Sequence, residues 1–388
     1  HMAISNIFGP PVIGENFFGR INELSQAHSI LNSGHSIVLS APRRIGKSSF
    51  AKRLVKEKRE QGWKCVYIDL ERTQSETQFL QTLITEFDKS GIWSKTVKAT
   101  GEILSGILES IKSIGPVNVE FSKLIPSKDL YSSLANLIDH TQDTLIVIDE
   151  LTLFLGVLEK TNGNIQDVAF FLNWFRSLRQ ITPSRIHWIF CGSVGLHNFT
   201  GTRNLTYTIN DLAELKFDAM SGNEAFGLVR ALADSEELNI TDDMINSFLA
   251  TLNWNIPYFI QILFNEIKTN TVKGQPVTEE IIQSSFHTLV HSDLMATWSQ
   301  RLSEYNGHEL AARYLLTLIS SVPEGVSKQQ LTASFMQTFS FDNIVAADKE
   351  LSDTLNMLEH DGYIIRTNGR RVFRSPLLRD WWHYKFAE

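Results

Sequence analysis

The sequence predicts an α/β fold: a parallel sheet covered by helices, then a helical unit, then a C-terminal unit of three helices and a hairpin. Three observations predict it. At 36–50 the β-branched run Ile37-Val38-Leu39 breaks into a short polar loop ending in Gly46-Lys47-Ser48-Ser49, and helix formers follow. At 144–150 Thr144-Leu145-Ile146-Val147-Ile148 is apolar without alternation, as a strand covered on both faces requires, and it ends in the adjacent carboxylates Asp149 and Glu150. From residue 211 the periodicity is purely helical until an Asn368-Gly369 turn joins two short strand-like runs.

The first stretch has the chemistry of a phosphate cradle. Gly46 lets backbone N–H groups approach phosphate oxygens at the positive end of a helix, Lys47 reaches the β- and γ-phosphates, and the Ser48 hydroxyl ligates Mg²⁺. The cradle is expected over Pro42, Arg43, Arg44, Ile45, Gly46, Lys47, Ser48 and Ser49. The loop departs from G-x-x-x-x-G-K-[ST] at Ala41, which stands where the first glycine should be and is small enough to permit the turn. The acidic strand supplies the other half. Two carboxylates at the end of an apolar run are not expected in an apolar core. Asp149 is expected to hold Mg²⁺ through water and Glu150 to polarise the attacking water. The expected fold is a P-loop NTPase parallel sheet of the type with an extra strand between the two motifs, with ATP and Mg²⁺ as cofactors.

Composition narrows the class. A chain of 388 residues has length for two or three domains, and a net charge of −7 argues against nucleic-acid binding over the whole surface while leaving a local basic patch open. Cys65 and Cys191 lie far apart in apolar runs with no C-x-x-C nearby, and read as reduced core residues of a cytoplasmic protein. The leading His1-Met2 reads as a cloning scar, and nothing after it resembles a signal peptide. The longest apolar runs are strand-length, too short to span a membrane.

Along the chain, a helical pattern at Leu24, Ala27, Ile30 and Leu31 precedes the loop, and a basic helix is expected over 48–61 after it. Residues 64–70 read as a second strand, and Phe79, Leu80, Leu83, Ile84 and Phe87 as a helix. Residues 90–126 read as an insertion, with a helix stopped by Gly115-Pro116 and a half-exposed strand over 117–121. An aromatic-rich helix over 168–180 carries Arg176 and Arg179, and 185–193 is a strand ending in small polar residues. Helices are expected over 224–233, 241–252, 309–320, 327–335 and 344–360, and strands over 363–366 and 371–374. The domain limits that follow are 1–212, 213–299 and 300–388.

Phe17-Phe18-Gly19-Arg20 through Glu23-Leu24 (F-x-G-R-x-x-E-L), followed by P-R-R-x-G-K-S-S, resembles the start of the STAND and archaeal-type AAA+ ATPases, relatives of the Orc/Cdc6 initiators. The resemblance implies that the opening segment, with Phe18 and Arg20, lies against the adenine. It implies that Ser193 senses the γ-phosphate, and that an arginine acting in trans would come from Arg176, Arg179 or Arg203. The segment 253–263 resembles the G-x-P start of a lid helix facing the nucleotide, with Pro257 in place, Asn255 replacing the glycine and no sensor-2 arginine. L-x-x-L-x-x-D-G-Y-I followed by F-R-S-P-L-L-R-D-W resembles a closing winged helix-turn-helix domain.

Whether that last domain touches DNA is left open by its charges. Its third helix carries Asp348, Glu350, Asp353, Glu359 and Asp361 against Lys349, and phosphates would repel it; only the wing is basic, with Arg366, Arg370, Arg371 and Arg374. Duplex DNA through the wing, a protein effector, and a second copy of the chain are the candidate partners. The function expected is an ATP-hydrolysing switch whose nucleotide state controls lid and wing. The alternatives are a non-hydrolysing nucleotide-dependent scaffold and a winged-helix DNA-binding regulator.

Overall fold

A computed structural model describes residues 4–6, 18–42, 44–92, 126–192, 195–305 and 307–387. Phe17, Arg43, Ser193 and nearly all of the expected insertion lie outside the described residues. Five strands, β1 (Ile37–Ser40), β2 (Lys64–Asp69), β3 (Thr144–Asp149), β4 (Ile186–Cys191) and β5 (Ala213–Lys216), form one sheet in the order β2-β3-β4-β1-β5. Every pairing is parallel, and β4 stands between the two motif strands, as the P-loop fold with an extra strand requires. The register aligns Asp69 with Asp149, Asp149 with Cys191 and Leu39 with Cys191, so the strand tips arrive together at one edge. Parallel strands send all their C-terminal loops to the same edge, where such sheets bind ligands.

The sheet has one correction to the sequence reading. Residues 213–216 are an edge strand beside β1, not the start of a purely helical region. An edge strand of four residues with only Leu215 buried carries almost no periodic signal.

One face of the sheet packs on α3 (Glu76–Ser90), α4 (Lys128–Leu137), α5 (Leu151–Asn162) and α6 (Ile165–Arg179) through an aromatic cluster of Phe79, Phe154, Phe171 and Phe175. The other face packs on α1 (Ile21–Asn32) and α2 (Lys47–Glu60), and its apolar core runs without a break into the helices that follow β5. A short α7 (Leu196–Gly201) leads from the tip of β4.

The helical unit consists of α8 (Gly222–Ser235), α9 (Asp242–Leu252), α10 (Pro257–Asn270) and α11 (Glu279–Val290). Ser221, Thr241 and Thr278 cap three of them by accepting a backbone N–H, and Pro257 opens the fourth, where its missing N–H costs nothing. A connector, α12 (Ala296–Gln300) and a 3₁₀ turn over Arg301–Glu304, leads to α13 (Glu309–Ser320). Then come β6 (Val326–Ser327), α14 (Lys328–Thr338), α15 (Ile344–His360), β7 (Ile364–Thr367), β8 (Arg370–Phe373) and α16 (Pro376–Phe386). Asn368 and Gly369, at φ 50 and 73, make the expected tight hairpin turn. The small sheet has the order β6-β8-β7; its third strand, two residues long, left no mark in the sequence. Three helices with this sheet are compatible with a winged helix domain. No described helix is long and apolar enough to cross a membrane.

Candidate nucleotide site

The loop after β1 turns through two left-handed residues, Arg44 at φ 62 and Gly46 at φ 99, and α2 starts at Lys47. Glycine takes this conformation without the Cβ clash that other residues suffer. The Lys47 side chain, 7% exposed, folds back on its own loop and donates to the carbonyls of Ala41 and, at 3.0 Å, Pro42. Burial lowers the lysine's pKa, while Glu150, Asp149 and Asp361 are near enough to raise it in part. An ammonium held by two loop carbonyls among three carboxylates is placed to exchange those carbonyls for phosphate oxygens.

The acidic strand meets this loop directly. Ser48 Oγ donates to Asp149 Oδ2 at 2.7 Å, and the Tyr67 hydroxyl donates to the same oxygen. Asp149 Oδ1 accepts the Glu150 amide at 2.9 Å and the Cys191 thiol at 3.2 Å. A hydroxyl beside a carboxylate is an oxygen donor pair for a hard cation such as Mg²⁺, so the residues fit the metal the motifs imply. Among the described residues no group of three or more His, Cys, Asp or Glu side chains is placed to hold a metal ion by itself. Glu150 has φ 57 at the N-terminus of α5, which bends the chain away from β3. A Cβ added to Gly192, at the tip of β4, would lie 3.5 Å from Glu150 Oε2. The expected sensor, Ser193, follows that glycine but lies outside the described residues.

Arg20 plays a part that its sequence did not announce. Only 2% exposed, its guanidinium donates to Ile45 O at 2.8 Å and to Asp218 O, and lies over the Phe217 ring at 4.1 Å. Its amide donates to Glu224 Oε2 at 3.1 Å. The side chain thus ties the phosphate loop to the entry of the helical unit. Phe18 packs against α8, where a Cβ on Gly227 would meet its ring at 3.1 Å. Pro257 lies over the loop, its Cγ 3.7 Å from where a Cβ on Gly46 would be, and the Arg44 guanidinium is 4.7 Å from the Tyr258 ring.

A fourth wall comes from the far end of the chain. The end of α15 and the turn after it rest on the tip of β1 and the loop: His360 Nε2 is 2.5 Å from Ser40 Oγ. Asp361 accepts the Gly195 amide at 3.1 Å and the Tyr305 hydroxyl at 2.8 Å. Gly362, at φ 81, touches Pro42 so closely that an added Cβ would be 2.2 Å from Pro42 Cγ. Burial raises the Asp361 carboxyl above its ordinary range, and His360 is the largest opposing influence. In the sequence D-G-Y is a family pattern, and nothing beside it announces that it packs against the phosphate loop. The signal available was the glycine, which the resemblance left without a physical role.

The remaining candidates are largely engaged inside the protein. Arg371, 5% exposed, donates to Glu359 at 2.7 Å, Arg370 to Gly325 O at 3.0 Å, and Arg374 to Asp218 of the helical unit. Arg366 is exposed and lies 4.0 Å from Glu359. The acidic helix α15 is matched in the same way, with Lys328 on Asp348, Lys349 on Asp353 and His308 on Glu350. Arg179 forms a two-point pair with Asp211 at 2.7 and 2.8 Å, Arg203 another with Glu159 at 2.6 and 2.9 Å, and Arg176 donates to Tyr207 O.

Residues 31–199 match the family model of the AAA domain. That stretch has the motifs and the parallel strands of an AAA-type P-loop domain. Among solved structures, a Walker-type ATPase of Pyrococcus abyssi is similar over 97% of this chain and 99% of its own, with a TM-score of 0.66 at 15% identity. The ORC2 protein of Aeropyrum pernix, in ADPNP and ADP complexes, is similar over 99% of this chain and 97% of its own, with TM-score 0.45 and 12% identity. The RuvB Holliday junction branch migration motor of Thermotoga maritima is similar over 94% of each chain, with TM-score 0.43 and 14% identity. No curated protein matches the chain in sequence.

Proposed function

We propose that this protein is an ATP-hydrolysing switch of the STAND or archaeal AAA+ kind, divided near residues 212 and 300 into an ATPase domain, a helical lid and a winged domain. The observation that carries the reading is the 2.7 Å bond between Ser48 and Asp149, which joins the phosphate loop to the acidic strand beside a buried Lys47. The backbone from Pro42 to Gly46 would hold the phosphates, with Lys47 released from its loop carbonyls. Ser48 and, through water, Asp149 would hold Mg²⁺, which supplies charge neutralisation to the phosphates. Glu150 at the strand tip orients the attacking water and takes its proton. Ser193 is assigned to sensing the γ-phosphate, and Phe18 and Pro257 to the rim around the nucleotide. Arg20 supports the rim from behind.

The switch part of the proposal rests on the turn over His360, Asp361 and Gly362, which packs against the loop at Ser40 and Pro42. A change in the phosphates held by that loop is felt directly by the winged domain, and Arg374 on Asp218 links the same domain to the lid. The partner is either a second copy of the chain, an effector protein or duplex DNA. A second reading, a slow or non-hydrolysing nucleotide-dependent scaffold, is favoured by the internal ion pairs of Arg179 and Arg203, two of the candidates for completing a neighbour's site. A DNA-binding regulator is the least supported, since Arg371 and Arg374 are held by carboxylates of the protein itself.

Two variants test the reading. Lys47→Ala should weaken ATP binding more than about 100-fold by equilibrium dialysis, the loss expected when a charge-assisted clamp on phosphate is removed; retained tight binding overturns the site. Glu150→Gln should leave affinity within a few-fold and slow single-turnover hydrolysis by about 10²–10⁴. An unchanged hydrolysis rate removes Glu150 from catalysis, and absence of turnover in the wild type selects the scaffold.

A further inference from the structure

Asp149 accepts four donors, and two of them, the Cys191 thiol and the Tyr67 hydroxyl, belong to neither motif. Each carboxylate oxygen offers two in-plane acceptor positions. On Oδ1 they are filled by the Glu150 amide and the Cys191 thiol, on Oδ2 by the Ser48 and Tyr67 hydroxyls. A carboxylate so satisfied has no position left for water on a cation beside Ser48. One donor must yield.

The surroundings of the four donors decide which. The Glu150 amide is fixed by the left-handed turn that starts α5. Cys191 is buried in β4, in the middle of the sheet, on the carboxylate oxygen away from Ser48. Ser48 can keep its proton on Asp149 while its lone pairs face a cation. Tyr67 is different: it sits on β2, the edge strand of the sheet, is half-buried, and shares with Ser48 the oxygen nearest the cation position. The Lys52 ammonium lies 5.2 Å from the centre of its ring, over one face.

We propose that Tyr67 is a gate on the metal position: its phenol occupies Asp149 Oδ2 before metal loading and surrenders that oxygen when a cation is held at Ser48. The proposal rests on the nucleotide reading of the site. Its physical basis is that a buried carboxylate left without donors is costly, so the phenol stabilises the metal-free state and competes with the metal. Tyr67 is a positioning residue, acting on the metal through Asp149.

The test uses the full chain with ADP and follows bound Mn²⁺ by electron paramagnetic resonance, with a fluorescent ADP analogue titrated separately in EDTA. Tyr67→Phe removes the hydroxyl and keeps the ring. It should lower the half-saturating Mn²⁺ concentration by about five-fold, the equivalent of one competing hydrogen bond. Metal-free ADP affinity should stay within two-fold of the wild type. Cys191→Ala should leave the Mn²⁺ requirement within two-fold. An unchanged or higher Mn²⁺ requirement in Tyr67→Phe overturns the gate, as does an equal drop in Cys191→Ala. If the wild type binds no nucleotide with metal present, the nucleotide reading fails and the gate with it; tight wild-type binding with an unaltered requirement in Tyr67→Phe sinks the gate alone.

Discussion

Asp149 and Asp361 are both buried, both face the phosphate loop, and come from opposite parts of the chain. Asp149 is held by three side-chain donors and one amide, and its partner on the loop is a hydroxyl able to share a cation. Asp361 is held by one backbone amide and one fully buried phenol, and its neighbour His360 reaches the Ser40 hydroxyl. The first arrangement can exchange donors for a metal. The second is satisfied by the protein itself, through a backbone amide and a buried phenol. Identical side chains near one loop therefore differ in what surrounds them.

The comparison breaks first at the metal. Asp149→Asn should abolish the gain in nucleotide affinity that Mg²⁺ gives, about 100-fold or more by calorimetry with and without EDTA, because a neutral amide cannot hold a cation's water as a carboxylate does. Equal Mg²⁺ dependence in variant and wild type would place the metal elsewhere.

The second arrangement breaks at Gly362. An alanine there must take φ 81 and push 2.2 Å from Pro42 Cγ, so Gly362→Ala should cost about 2–4 kcal/mol in chemical denaturation or free the C-terminal unit from the loop. The readout is proteolysis of the connector over Arg301–Glu304, faster than in the wild type. Undiminished stability and protection would show that the turn does not rest on the loop.

The smallest effect sharpens the contrast through pH. Burial raises the Asp361 carboxyl, so the folded state binds its proton more tightly than the unfolded state does. The stability this contributes is present at acid pH and is lost as pH rises through the raised value. Asp361→Asn should flatten that part of the profile, seen as a melting temperature that falls less than the wild type's on going from below the ordinary carboxylate range to neutrality. Parallel profiles would show that Asp361 titrates as an ordinary surface acid.

Much of the half that carries the phosphate loop was legible because its signals are contiguous. Ile37 to Ser49 carries a strand, a turn and a helix start in one stretch, and Thr144 to Glu150 carries a buried strand and its acids in another. The strand over 213–216 was not legible, since four residues of which only Leu215 is buried carry too little alternation to mark a strand. The resemblance implies that Arg20 lies near the nucleotide; that its guanidinium closes on Ile45 O and Asp218 O, joining three distant segments, is seen only in the fold. The charges of the basic wing leave DNA contact open in the sequence; the carboxylates of Glu359 and Asp218, which occupy Arg371 and Arg374, are visible only once the chain is folded.

By itself the sequence determined the parallel sheet, the phosphate loop and the acidic strand, because each is written in neighbouring residues whose backbone preferences and chemistry act over one or two turns of chain. Only the tertiary structure decided that Tyr67 shares Asp149 with Ser48 and that His360, Asp361 and Gly362 close over Ser40 and Pro42. Those contacts depend on how apolar faces pack across the whole molecule, and the same leucines and phenylalanines would serve many other packings equally well.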